Sequence, residues 1–253
     1  MEAYDYREGN RLTLEPIGTD QPTTKASGQI DITIVERLAA WRGRRSQVLL
    51  VEANPLPLAD SSPTTFVAKC FDPYLGSPSD AYDNDQTPAE YWAELCQTEV
   101  YAYQRLRQFQ GRYLPIFYGR FRYSANSGPV DVVLLEFIKD PPLSHFKQSD
   151  FRSPDLVELH NQAIHVLNDF HSCGVYHDDI KAGNIFWNNE RRMLRICDWD
   201  CARFDPPEDF ASDWAYSDEC RMNATLESYG IPWKVDIPPS AVWIGKDIMR
   251  KVS

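Results

Sequence analysis

The sequence predicts an α+β chain in two unequal parts, the first rich in strands and the second mainly helical. Three observations carry this. Short β-branched and apolar runs (IDITIVERL, QVLLVEA, FVAKCF) are punctuated by Pro- and Gly-containing connections. Two long segments, one from Pro88 and one from Ser153, repeat apolar residues at helical spacing. Between them, two further strand-like runs end at the pair Pro141–Pro142, which breaks the chain. The order of sheet, helix, sheet and helices implies two lobes with a cleft between them.

Residues 1–28 are polar and rich in turn formers, and are expected to be an N-terminal tail or loosely packed arm. Ile30–Leu38, Gln47–Ala53 and Phe66–Phe71 are expected strands, with the basic turn WRGRRS between the first two. Pro88 sits well in a first helical turn, with Glu90 and Glu94 close behind. That helix should reach about Phe109, with Trp92, Leu95, Cys96, Val100, Tyr103 and Leu106 forming its buried stripe. Leu114–Tyr123 and Val130–Ile138 read as strands around the turn SANSG. The lobes are placed at 29–140 and 141–253. In the second, Ser153–His171 reads as a helix, Ile185–Trp187 and Leu194–Cys197 as a hairpin, and Trp214–Tyr229 as a further helix.

The chain has 253 residues, 43% hydrophobic and 25% charged, enough to bury a core. Its formal charge of -11 repels nucleic acid and anionic membranes, so neither is expected as a partner. The six cysteines contain no CxxC pair and mostly lie in apolar runs, which points to buried free thiols. The N-terminal stretch lacks an apolar core and a basic start, and is not expected to be a signal peptide. No segment approaches a membrane span, so an intracellular protein, cytoplasmic or nuclear, is expected.

The chemistry concentrates in His177–Asn184 (HDDIKAGN), followed fourteen residues after Asn184 by Asp198 in CDWD. Phosphoryl transfer asks little covalent help of a protein. It needs metal on the phosphates, a carboxylate near the attacking hydroxyl and a cation on the nucleotide. An Asp–x4–Asn loop, then a strand and another Asp, supplies the first two, because magnesium takes hard oxygen donors.

This loop resembles the catalytic loop H-R-D-x-x-x-x-N of protein kinases of the eukaryotic type. The resemblance covers about residues 30–200 and implies a kinase-like bilobal fold with a β-rich N-lobe and a shortened helical C-lobe. It implies that Asp179 is the catalytic base, and that Asn184 and Asp198 hold magnesium. Lys181 matches the loop lysine of Ser/Thr-type kinases, which helps neutralise the transferred phosphate. FVAK resembles the strand motif V-A-I-K, making Lys69 the phosphate-binding lysine, with Glu99 as its ion-pair partner and Glu94 as the competing candidate. Glu136 and Ile138, just before the lobe boundary, are expected beside the nucleotide, and the basic turn is expected either to set Arg44, or its neighbours Arg42 or Arg45, on the phosphates or to be simply exposed.

Departures from the pattern are equally specific. The G-x-G-x-x-G loop is missing, and only Gly43 lies between the first two strands. Asp178 stands where the family usually has arginine, so control through a phosphorylated activation loop is not expected. Trp199 and Asp200 replace the Phe and Gly of D-F-G, which should stiffen a hinge used for switching. Only 53 residues follow Asp200, no A-P-E motif appears, and SDWAYS only faintly matches the start of a later kinase helix.

The resemblance thus implies a phosphotransferase that binds ATP and Mg2+ and acts on a hydroxyl of a protein or of a small molecule. The lost glycines and shortened C-lobe leave open a non-catalytic kinase-like binding module, or a kinase fold serving another ATP-dependent transfer.

Overall fold

The computed structural model describes residues 6–17, 29–39, 45–53, 64–75, 86–151 and 153–230. Two compact units emerge. One comprises Met1–Pro141 together with Arg195–Ala202, and the other comprises Pro142–Leu194 with Arg203–Ser253.

The first unit is built on six antiparallel strands: β1 (Arg11–Pro16), β2 (Ile30–Ala39), β3 (Gln47–Ala53), β4 (Thr65–Phe71), β5 (Phe117–Ala125) and β6 (Gly128–Glu136). They close into a barrel in the order β1-β2-β3-β4-β6-β5. Arg11–Pro16, expected to belong to a loose arm, is therefore a correction. Leu12 and Leu14 alternate with exposed neighbours and point inward, and β1 closes the barrel by pairing with both β2 and β5. Period-two alternation fills the interior: Ile32 and Ile34, Leu49 and Val51, Phe66, Ala68 and Cys70, Val130, Val132 and Leu134 all face it.

That parity fixes the other face of β4. If Phe66, Ala68 and Cys70 enter the barrel, then Val67, Lys69 and Phe71 point out of it. Against that outer face lies helix α1 (Pro88–Arg105). Its start is fixed by a capping box. Glu90 N–H donates to Thr87 Oγ1 at 3.4 Å, and the Glu90 carboxylate accepts from Thr87 N–H at 2.9 Å. Its buried stripe is Trp92, Leu95, Cys96, Glu99, Val100, Ala102 and Tyr103, so Glu99 sits in the middle of an otherwise largely apolar face. Tyr103 stacks on Phe117 with ring centroids 5.6 Å apart. The helix ends earlier than expected, and Arg107–Phe109 continues as a 3₁₀ turn.

The second unit is organised around two helices packed on each other, α2 (Ser153–Ser172) and α3 (Glu208–Glu227). Short strands β7 (Val175–Tyr176) and β10 (Arg203–Phe204) pair antiparallel, and β8 (Ile185–Asn188) and β9 (Met193–Ile196) form a two-stranded ladder. Leu159, Ala163, Val166, Leu167 and Phe170 of α2 are buried, as their spacing requires. α3 begins six residues before Trp214, because Pro206–Pro207 and the acidic first turn Glu208–Asp209 suit a helix start.

All six cysteines are free; Cys70 and Cys96 are buried, while Cys173, Cys197, Cys201 and Cys220 are only partly so. Among the described residues no helix is long and apolar enough to cross a membrane.

Candidate active site

In the first unit the site centres on Lys69. Strand parity sends its side chain toward α1, where Glu99 replaces an apolar residue on the helix's buried stripe. Lys69 Nζ pairs with Glu99 Oε2 and with Asp198 Oδ1, and lies 3.1 Å from Asp200 Oδ2. The lysine and glutamate side chains are 4% and 0% exposed, so this pair is shielded from screening by water and salt. Glu94, the competing candidate, is exposed and accepts from Gln86 Nε2 instead, at 2.8 Å.

Burial works against the Lys69 charge, but Asp198, Asp200 and Glu99 outweigh it and hold its pKa well above the usual value. Glu99 is pushed up to about 7, chiefly by burial, with Asp198 and Asp200 adding to the rise against the pull of Lys69. Three carboxylates therefore surround one ammonium, and their oxygens lie within 4.8 Å of one another. Asp198 adopts φ 72°, a left-handed conformation that a non-glycine residue keeps only where its surroundings enforce it. Trp199, next in sequence, is fully buried.

The remaining expected nucleotide residues of this unit are less directly engaged. Arg44 lies outside the described residues, and its neighbour Arg45 donates to Cys201 Sγ at 2.6 Å. Glu136 gives its carboxylate to Arg195 Nη1 at 2.8 Å and to Ile116 N–H at 3.1 Å, and Ile138 is buried. The Glu136–Arg195 pair, closed by Arg195 Nη2 donating to the Gly111 carbonyl at 2.8 Å, ties β9, which ends two residues before Asp198, to β6. A hollow of about 160 Å³ lies beside Asp200, lined by Tyr91, Leu95, Thr98 and Cys201. It is smaller than the roughly 300 Å³ at which small-molecule pockets begin.

In the second unit the loop His177–Asn184 is held from within. Asp179 N–H donates to His177 Nδ1 at 3.2 Å, and His177 is buried. Asn184 Nδ2 donates to the Asp179 carbonyl at 3.0 Å, and Lys181 Nζ pairs with Asp179 Oδ2 at 2.5 Å. The Asp179 side chain remains 26% exposed.

Asp218 anchors the loop, a role that sequence reading missed. Its Oδ2 accepts from His177 N–H at 2.7 Å and meets His171 Nε2 at 3.1 Å, while its Oδ1 accepts from Asp178 N–H at 2.8 Å. Burial raises its pKa, but the donors from His171, His177 and Asp178 prevail and hold it below the usual carboxylate value. SDWAYS lies within α3, yet the acid that anchors the loop is the next one along. The available signal was helical spacing: Asp218 is one turn from Trp214, on the face that packs toward β7.

Comparison with known proteins agrees. A family model described as the protein kinase domain matches residues 98–236, more than half of the chain, and the chain belongs to that family. Lys69 lies before the matched segment, but its partner Glu99 lies within it. A probable casein kinase II subunit alpha homolog of Encephalitozoon cuniculi is 43% identical over 54 residues, which are 21% of this chain and only 17% of that relative. The structure of the Cydia pomonella granulovirus kinase PK-1 matches 84% of this chain and 77% of its own, with TM-score 0.51 and 15% identity. The fold is a shortened form of the kinase fold, with a β-rich N-terminal part followed by a few helices.

Proposed function

We propose that this chain is a phosphotransferase of Ser/Thr type that moves the γ-phosphate of Mg-ATP to a hydroxyl, on a protein or on a small molecule. The observation that carries the reading is the buried Lys69, charged and held between Glu99 and Asp198. A fixed ammonium of this kind is what places nucleotide phosphates for transfer. Asp179 accepts the proton of the attacking hydroxyl. The new oxygen–phosphorus bond forms as the bond from the γ-phosphorus to the β–γ bridging oxygen breaks, leaving ADP. Lys181 offsets charge on the moving phosphoryl group.

Magnesium fits the donor set. The three carboxylates around Lys69 carry more negative charge than one ammonium neutralises, and Asn184 uses its side-chain Nδ2 to bind the Asp179 carbonyl, so its oxygen is the atom it could offer a metal. The kinase resemblance assigns the ion to Asp198 in the first unit and to Asn184 in the second, and when bound it would neutralise charge on the phosphates. Six free thiols are in keeping with a reducing, intracellular setting.

One observation favours the alternative of a non-catalytic nucleotide- or partner-binding module: Asp200 brings a third carboxylate to the lysine that a nucleotide needs. Nucleotide binding with and without magnesium, followed by mass spectrometry of the products, separates the readings. A phosphorylated product supports phosphotransfer, binding without turnover supports the module, and an adenylylated product supports nucleotidyl transfer.

A further inference from the structure

Asp178, immediately before the proposed base, is held in an unusual way. Its φ is 56°, in the left-handed region, which Asp enters more readily than most side chains but which local hydrogen bonds must hold. Those bonds come from two sides. Asp218 accepts its backbone N–H, and its own Oδ1 accepts from Arg203 Nη2 at 2.8 Å and Arg221 Nη2 at 3.1 Å. The two guanidiniums reach it from different elements. Arg203 belongs to β10, whose ladder with β7 pairs it with Tyr176 just upstream of the loop, and its guanidinium lies 4.4 Å from the centroid of the Trp214 ring. Arg221 belongs to α3. Trp214, Asp218 and Arg221 are spaced one and two turns apart on α3, so one helix face supplies the stacking partner, the backbone anchor and the second cation.

We infer that Asp178 is a positioning residue for the transfer reaction. Its carboxylate, clamped between Arg203 and Arg221, forces the left-handed turn that sets the direction of Asp179. The anion that orders this region is thus a side chain of the loop itself, present whenever the protein is folded. Two cations converging on one carboxylate outmatch the screening of a single surface pair, since Asp178 is 26% exposed and one guanidinium is also stacked on an indole. This inference rests on the phosphotransfer reading above, and its test separates the two.

Three variants decide it. Asp178→Asn keeps size and backbone preference, Asp178→Arg reverses the charge, and Asp178→Arg with Arg221→Glu restores attraction with the polarity swapped. In the full-length protein, the first should lower kcat about tenfold and the second roughly a hundredfold, with nucleotide affinity within about twofold of wild type. The swap should recover at least about tenfold of what Asp178→Arg loses. Amide hydrogen exchange across His177–Ile180 should accelerate in the two single variants and slow again in the swap. Unchanged kcat and exchange in Asp178→Asn overturns the inference, as does a folded swap variant no better than Asp178→Arg. If the wild type shows no turnover at all, the phosphotransfer reading fails, and the exchange pattern alone then supports or overturns the clamp.

Discussion

The Oδ2 atom of Asp200 stands 3.1 Å from Nζ of Lys69, on the residue that replaces the glycine of the kinase D-F-G motif. A side chain at that position reaches the lysine itself. It draws on the cation that Glu99 and Asp198 already share, and leaves the cluster with more negative than positive charge.

Removing that competition should strengthen nucleotide binding. Asp200→Asn keeps the volume and deletes one of three carboxylates that face the incoming phosphates. Affinity for nucleotide, measured by calorimetry, should rise by roughly three- to tenfold, about 1 kcal/mol. Unchanged or weaker binding would mean that Asp200 assists the nucleotide instead of opposing it.

Lys69→Met should destabilise the protein as well as abolish its binding of nucleotide phosphates. The substitution removes the cation from the fully buried Glu99 and the nearly buried Asp200, which must then take up protons or stay charged in a dry site. Breaking a buried ion pair from one side costs about 3–5 kcal/mol, to be read from urea unfolding. A loss near zero would show that water reaches the cluster freely.

Asp198→Ala and Asp179→Asn should separate binding from chemistry. The first should abolish magnesium-dependent nucleotide binding while leaving the fold intact, as circular dichroism would show. The second should lower kcat by about 10²–10⁴-fold with little change in nucleotide affinity, because a general base contributes in the transition state. Full activity in Asp179→Asn would remove this loop from the mechanism.

Asp218 should govern acid stability. Its pKa lies below the unfolded value of 3.8, so its contribution is present above that value and lost as pH falls through the folded pKa. Asp218→Asn also sets an amide N–H₂ against the donors of the loop. We expect a loss of about 2–4 kcal/mol at neutral pH in chemical denaturation, with the gap to wild type closing below pH 3.8. A gap that persists undiminished in acid would assign the loss to packing alone.

Local patterns carried much of the molecule. β3 runs from Gln47 to Ala53 as expected, α1 begins at Pro88, and β4 carries Lys69 on the face away from the alternating Phe66, Ala68 and Cys70. These follow from periodicity, turn chemistry and the first-turn proline, which neighbouring residues set among themselves. The same logic, carried one step further, singles out Glu99 over Glu94: position 99 falls on the stripe with Trp92, Cys96 and Tyr103, whereas position 94 does not.

What the tertiary structure decided are the relationships between residues far apart in the chain. Leu12 and Leu14 give too short an alternation to announce a strand, and β1 exists because β2 and β5 offer it two edges that close a barrel. Asp218 is one of several acids on α3, distinguished only when its oxygens meet the backbone of His177 and Asp178, some forty residues earlier. Asp178 and Asp200 read as departures from a motif. Only folding brings Arg203 and Arg221 to the first and Lys69 to the second, because buried charge and unsatisfied backbone groups find partners by position in space, which sequence separation does not reveal.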